Sequence, residues 1–153
     1  MMWIAIGMSF LAGIALPIQA GLNAQLARSA GQPGATLWAS LISFIIGTLA
    51  LFLIYFGQRF PWPSLDALSK APFYYWLGGL FGAFFVFVTT TYAPRLGAAL
   101  FVGILIFGQM SASITIDHSA LLGFNYDPIT IKKVFGVFLI ISGVVLLQLS
   151  NSD

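Results

Sequence analysis

The sequence predicts an all-α membrane protein with five transmembrane helices. Three observations carry that prediction. The 153 residues are 59% hydrophobic and only 7% charged, with a mean hydropathy of +0.99. Soluble domains average about 25% charged residues, so a soluble fold of this composition would have almost nothing with which to dress its surface. The apolar residues fall in five long segments separated by short polar turns, and at roughly 20 residues per crossing the length accommodates about five spans. Within the fourth segment Gln109, Ser113 and Asp117 stand at i, i+4 and i+8. On a helix they form one stripe, and an ionisable residue beside a span points by default to function.

The composition excludes several chemistries. There is no cysteine, no glutamate and a single histidine, which leaves no disulfide and too few ligands for a protein-built metal site. No cofactor is expected. The net charge of +2 is scattered over isolated positions, so no basic run suggests nucleic acid. No nucleophile–base set appears either, which places an enzyme last among the candidate functions.

The first span is expected over residues 2–26. A cleaved signal peptide is the alternative, but the start lacks basic residues and no Ala-x-Ala site follows. Leu11, Ile14, Ile18 and Leu22 recur at three- and four-residue spacing and should face lipid. The opposite half carries Gly13, Gln19, Ala20, Asn23 and Ala24. Gln19 and Asn23 are i, i+4 neighbours and either line a polar path or bond to neighbouring helices, contacts worth roughly 0.6 to 2 kcal/mol. Pro17 removes a main-chain hydrogen bond and allows a kink beside them.

Residues 28–33 should form a turn, and residues 34–55 the second span. There Ala39, Ser43 and Gly47 make a small-residue stripe suited to close packing, while Trp38 and Tyr55 lie near the ends, as an interfacial aromatic belt would. In the polar stretch that follows, Pro61-Trp62-Pro63 cannot be a regular helix. Ser64 is placed to cap a short interfacial helix through Lys70.

The third span is expected over residues 73–92. Gly78 and Gly82 form a GxxxG pair that suggests a close crossing and, with Pro17, helix mobility. Thr89 to Thr91 can bond back to helix carbonyls, Pro94 should end the span, and residues 95–97 should turn tightly into the fourth, residues 98–118. Asp117 near its end is either a snorkelling interfacial acid or a buried proton carrier, and His118 is expected to be solvated or capping. A loop with Asn125-Tyr126-Asp127-Pro128 precedes the fifth span, residues 131–149, in which Lys132 and Lys133 should reach headgroups and Gly136 and Gly143 share nearly one face.

These residues resemble a family. The segment from Pro17 to Ala27, Pro-Ile-Gln-Ala-Gly-Leu-Asn-Ala-Gln-Leu-Ala, is similar to the first-span motif of the YdcZ-like inner-membrane exporters of the drug/metabolite transporter superfamily. Gly108-Gln109, Ser113 and Ile116-Asp117-His118 resemble that family's fourth-span motif, and the Gly136 and Gly143 pattern also fits. The resemblance covers the whole chain. It implies a single five-helix domain over residues 1–153, half of a ten-helix drug/metabolite-transporter-like bundle in the bacterial inner membrane. The implied assembly is an antiparallel homodimer or a pair with a homologous half. Related small multidrug exporters use a first-span glutamate. This chain has none, and Asp117, on another helix, is the nearest substitute.

The expected function is therefore a secondary transporter, exporting a small polar or amphipathic metabolite by alternating access as a dimer. Gln19, Asn23, Gln109 and Ser113 would line the substrate path, Asp117 would carry a proton or pair with a cation, and Pro17, Gly78 and Gly82 would give the helices flexibility. A dual-orientation channel and a non-transporting membrane subunit are the rivals.

Charge sets the orientation. With five spans, Arg59, Lys70, Lys132 and Lys133 share the side of the amino terminus, while Arg28 and Arg95 lie opposite. The positive-inside rule favours a cytoplasmic amino terminus, but a bias of four against two is slight. Such a bias permits insertion both ways, which would build an inverted repeat from one sequence. A reporter active only in the cytoplasm and one active only outside it, each fused to the carboxyl terminus, should then both give signal. Activity of the external reporter alone would eliminate the inverted homodimer.

Overall fold

The computed structural model describes residues 2–150, the side chain of Ala67 excepted. In lipid the main chain finds no water, so a spanning segment must satisfy its own amides and carbonyls, which a helix does. Every long apolar segment is accordingly helical: α1 Met2–Ala30, α2 Ala35–Gly57, a short α3 Leu65–Ser69, α4 Gly78–Leu96, α5 Ala98–His118 and α6 Ile131–Ser150. A 3₁₀ turn, Phe73–Leu77, leads directly into α4. Five of these segments are long and apolar enough to cross a membrane, the third being the combined stretch Phe73–Leu96.

The helices form two compact units, one ending at Pro94 and one beginning at Arg95. In the first unit α1 and α2 pack on each other. The chain turns between them within four residues, aided by Gly34 at φ +82°. Ala20, Ala24 and Ala27 of α1 are buried, as are Ala39 and Ser40 of α2. Small side chains let backbones approach closely where lipid offers no hydrophobic drive for association. On the far face of α1, Leu11, Ile14, Ile18 and Leu22 are exposed, the arrangement the periodicity predicts. The end of α2 is held by aromatic rings: Tyr55 donates its hydroxyl proton to the Pro61 carbonyl, and Trp62 lies 5.4 to 6.3 Å from the rings of Phe52, Tyr55 and Phe56.

In the second unit α5 packs on α6. The closest approach is at Gly103, where an added Cβ would stand 2.8 Å from Val144 Cγ2. Gly136 and Gly143, which sequence spacing singles out, have nothing within 4 Å of an added Cβ. The connection from α5 to α6 is pinned at several points. The Asp127 amide donates to the Asp117 carbonyl at 3.0 Å. Lys133 Nζ lies 2.8 Å from Asp127 Oδ1 and also donates to the Asp127 and Pro128 carbonyls. These bonds hold a loop in which Ala120 and Leu122 adopt φ of +50° and +56°, values that cost an L-residue roughly 1–2 kcal/mol each.

The ends of α2 and α6 lie one or two residues from the sequence expectation, and three further boundaries differ. α1 continues to Ala30, carrying Arg28 into its last turn, where a cation is favoured by the helix dipole. The interfacial helix ends at Ser69 rather than Lys70. Pro94 does not end α4, which runs on to Leu96. Proline deprives an earlier carbonyl of its partner but keeps a helical φ, and the break comes instead at Gly97, whose φ of +83° suits glycine.

The Gly103 contact gives a direct test. An extra methyl that meets a stiff β-branched side chain costs roughly 1–3 kcal/mol. Gly103→Ala should therefore lower the melting temperature of the purified protein in detergent, and Gly136→Ala should leave it unchanged; equal melting temperatures for Gly103→Ala and wild type would refute the close contact.

Candidate functional site

Hydroxyls on spanning helices normally satisfy themselves by bonding to a carbonyl of the preceding turn. Several here do: Ser40 donates to Thr36 O, Thr91 to Phe87 O, Ser111 to Phe107 O, Thr115 to Ser111 O and Ser142 to Phe138 O, all at 2.8 to 2.9 Å. Polar side chains that depart from this habit mark where the chain directs polarity outwards from its helices.

In the first unit the departures gather on α1 and its neighbours. Gln19 Nε2 donates to Ser43 Oγ of α2 at 3.3 Å. Sequence spacing had given Ser43 to packing; the structure gives its hydroxyl a polar partner as well. One turn further along α1, Asn23 is buried at 7% exposure, and its Nδ2 meets no hydrogen-bond partner among the described residues. Pro17, half-buried two residues before Gln19, leaves the Gly13 carbonyl without its usual donor. On α4, an added Cβ at Gly82 would lie 3.4 Å from Phe44 of α2, whereas Gly78 meets nothing within 4 Å. The GxxxG pair thus places one glycine at a crossing and the other at the junction between the 3₁₀ turn and α4.

In the second unit Gln109, Ser113 and Asp117 lie along α5 as the spacing predicts. Gln109 and Ser113 are exposed and Asp117 is half-buried. Among the described residues none of the three side chains has a hydrogen-bond or ion-pair partner. Asp117 is also tied to the loop through its main chain, since its carbonyl takes the Asp127 amide. Its neighbour His118 accepts the Ile129 amide at Nδ1, 3.4 Å away, and its ring lies 5.8 Å from that of Tyr126. His118 and Lys133 therefore organise the loop, where the sequence expects a solvated or capping histidine and a lysine that reaches the headgroups. No group of three or more metal-ligating side chains occurs among the described residues.

The sequence expects Thr90, like Thr89 and Thr91, to bond back to a helix carbonyl, and in the structure it alone of the three does not. It is the largest fully buried side chain, at 2% exposure, and its Oγ1 has no partner among the described residues. Pro94, four residues later, was the available signal.

The Gln19–Ser43 bond can be tested separately. Interhelical bonds of this kind average about 0.6 kcal/mol in membranes. A double-mutant cycle of Gln19→Ala and Ser43→Ala, read by unfolding in mixed micelles, should return a coupling of about that size; a coupling of zero would mean that the pair does not interact.

Comparison with known proteins agrees with this architecture. The family model described as "Putative inner membrane exporter, YdcZ" matches residues 4–146. No curated protein and no solved structure matches the chain. The chain belongs to the YdcZ family of inner membrane exporters, and its five spanning helices are those of a multi-pass inner-membrane protein.

Proposed function

We propose that this member of the YdcZ family is a secondary transporter that exports a small polar or amphipathic metabolite by alternating access. In this reading it works as a dimer, antiparallel or with a homologous half, so that two five-span halves build a ten-helix bundle. The observation that supports it most is the uncovered polar stripe of α5. Gln109 and Ser113 are exposed and unpaired among the described residues, on a helix apolar enough to cross a membrane. Leaving such groups against hydrocarbon without partners costs roughly 2–7 kcal/mol each. A stripe of them belongs against a polar cavity, and a second half would complete that cavity.

The residues take distinct roles. Gln19, Asn23, Gln109 and Ser113 supply amides and a hydroxyl, which recognise a solute by hydrogen bonds. Asp117 is the one acidic residue on a spanning helix among the described residues. Its carboxylate has no partner among the described residues, so it is available to carry a proton or pair with a cation. Pro17 weakens α1 beside its amides, and Gly78 and Gly82 let α4 shift against its surroundings, as the rocking of alternating access requires. The family membership argues for transport over catalysis.

Coupling is the testable core of this reading. In proteoliposomes bearing a pH gradient, Asp117→Asn should abolish proton-driven accumulation of any solute that the wild-type protein concentrates, while facilitated exchange of that solute persists. Full proton-coupled flux in Asp117→Asn would remove the coupling role. Large ohmic currents through the wild-type protein in planar bilayers would replace the transporter with a channel.

A further inference from the structure

Three consecutive threonines in α4 behave differently. Thr89 Oγ1 donates to the Val86 carbonyl at 2.9 Å, and Thr91 Oγ1 to the Phe87 carbonyl at 2.8 Å. Thr90, between them and the most buried of the three, has an unpartnered Oγ1 among the described residues. The carbonyl it would use four residues back is that of Val86, which already receives the Thr89 hydroxyl. Its own carbonyl is affected too. The donor four residues on is Pro94, which has no N–H to give. One buried residue thus carries a free hydroxyl and a carbonyl deprived of its helical donor. An orphaned buried polar group costs roughly 1–3 kcal/mol. In the same unit, buried Asn23 offers an unpartnered amide donor.

The charge of the surroundings narrows what these groups can take. The charged residues of this unit are Arg28, Arg59, Asp66 and Lys70, and exposed Arg95 follows in the last turn of α4, five residues after Thr90. All four are exposed, at the end of α1, in the loop after α2, on short α3, or just after it. The buried polar groups of the unit are Asn23, Ser40, Thr89 and Thr90, none of them ionised. A ligand carrying net charge would be desolvated there without a counter-charge, which is strongly unfavourable. Hydroxyl, carbonyl and amide groups instead match a solute that has both donors and acceptors and no net charge.

We propose that Thr90 is a binding residue for a small, net-uncharged, hydrogen-bonding solute such as a polyol or an amide, which donates to its hydroxyl and its main-chain carbonyl. This rests on the transport reading above and adds to it both a residue and a substrate class.

The chain contains no cysteine, so single-cysteine variants report cleanly. Thr90→Cys and Asn23→Cys would be reconstituted in proteoliposomes and treated with three impermeant methanethiosulfonates: sugar-linked and uncharged, trimethylammonium, and sulfonate. Normalised to their rates with a free thiol, the uncharged reagent should modify Thr90→Cys about tenfold faster than either charged one, despite its greater bulk. Equal rates, or faster reaction of a charged reagent, would overturn the uncharged class. Modification of Asn23→Cys without modification of Thr90→Cys would remove Thr90 and leave the polar path intact. If neither reacts, the path itself fails along with this inference. Should Thr90→Cys not assemble, Val86→Cys, buried one turn earlier on the same face, carries the same comparison.

Discussion

The structure depends on one constraint: within hydrocarbon, every polar group must find its partner in the protein. The main chain meets it by being helical through each apolar segment. Several serine and threonine hydroxyls meet it by returning a proton to the preceding turn, as in Ser40, Ser111 and Ser142. Where a buried polar group or a proline departs from the rule, the departure carries information. Pro17 and Pro94 each deprive a carbonyl of its donor within an otherwise continuous helix. Asn23, Thr90, Gln109 and Ser113 hold polar atoms without partners among the described residues. Each exception stands near another: Pro17 near Gln19 and Asn23, Pro94 one turn from Thr90, Gln109 one turn from Ser113.

Packing follows from the same solvent. Lipid is as apolar as leucine, so burying leucine between helices gains little, and association relies on close backbone approach. The buried residues of the α1–α2 pair are accordingly alanine, serine and asparagine, while the large aliphatics face outwards. In the second unit the approach is made at a single glycine, Gly103. α6 contains no buried residue, and Val144 and Leu147 are the side chains it brings closest to Gly103.

Much of this was legible in the sequence, because hydropathy and helical period are direct consequences of a lipid solvent. The five spans, the lipid-facing stripe of α1 and the alignment of Gln109, Ser113 and Asp117 all follow from spacing alone. The errors have physical causes. Pro94 suggests a helix end because proline breaks helices in water; in a span the freed carbonyl is tolerated and the helix runs on until Gly97 turns it. Of the glycines picked out by motif, Gly82 meets Phe44 while Gly78, Gly136 and Gly143 face open space, and Gly103, which no motif marks, makes the closest contact. Spacing says which residues share a face, but not which face has a neighbour. Thr90 was hidden for a similar reason. Whether a hydroxyl bonds back depends on whether the carbonyl behind it is already taken, and here the Thr89 hydroxyl occupies the Val86 carbonyl.

The distribution of chemistry has a consequence for energetics. The first unit holds uncharged polar groups in its interior, and the second holds the one acid on a span. If a net-neutral solute is recognised by hydrogen bonds while a proton rides on Asp117, then the solute brings no charge for that carboxylate to balance. Exchange of a neutral solute for a proton moves one net charge across the membrane per cycle. The membrane potential, worth about 2.3 kcal/mol per charge at 100 mV, then drives transport alongside the pH gradient. A single carboxylate that bound either proton or cationic solute would sacrifice that contribution for a monovalent solute, since one charge would replace another. Separating hydrogen-bond recognition from charge coupling thus lets the whole protonmotive force act on a solute that carries no charge of its own.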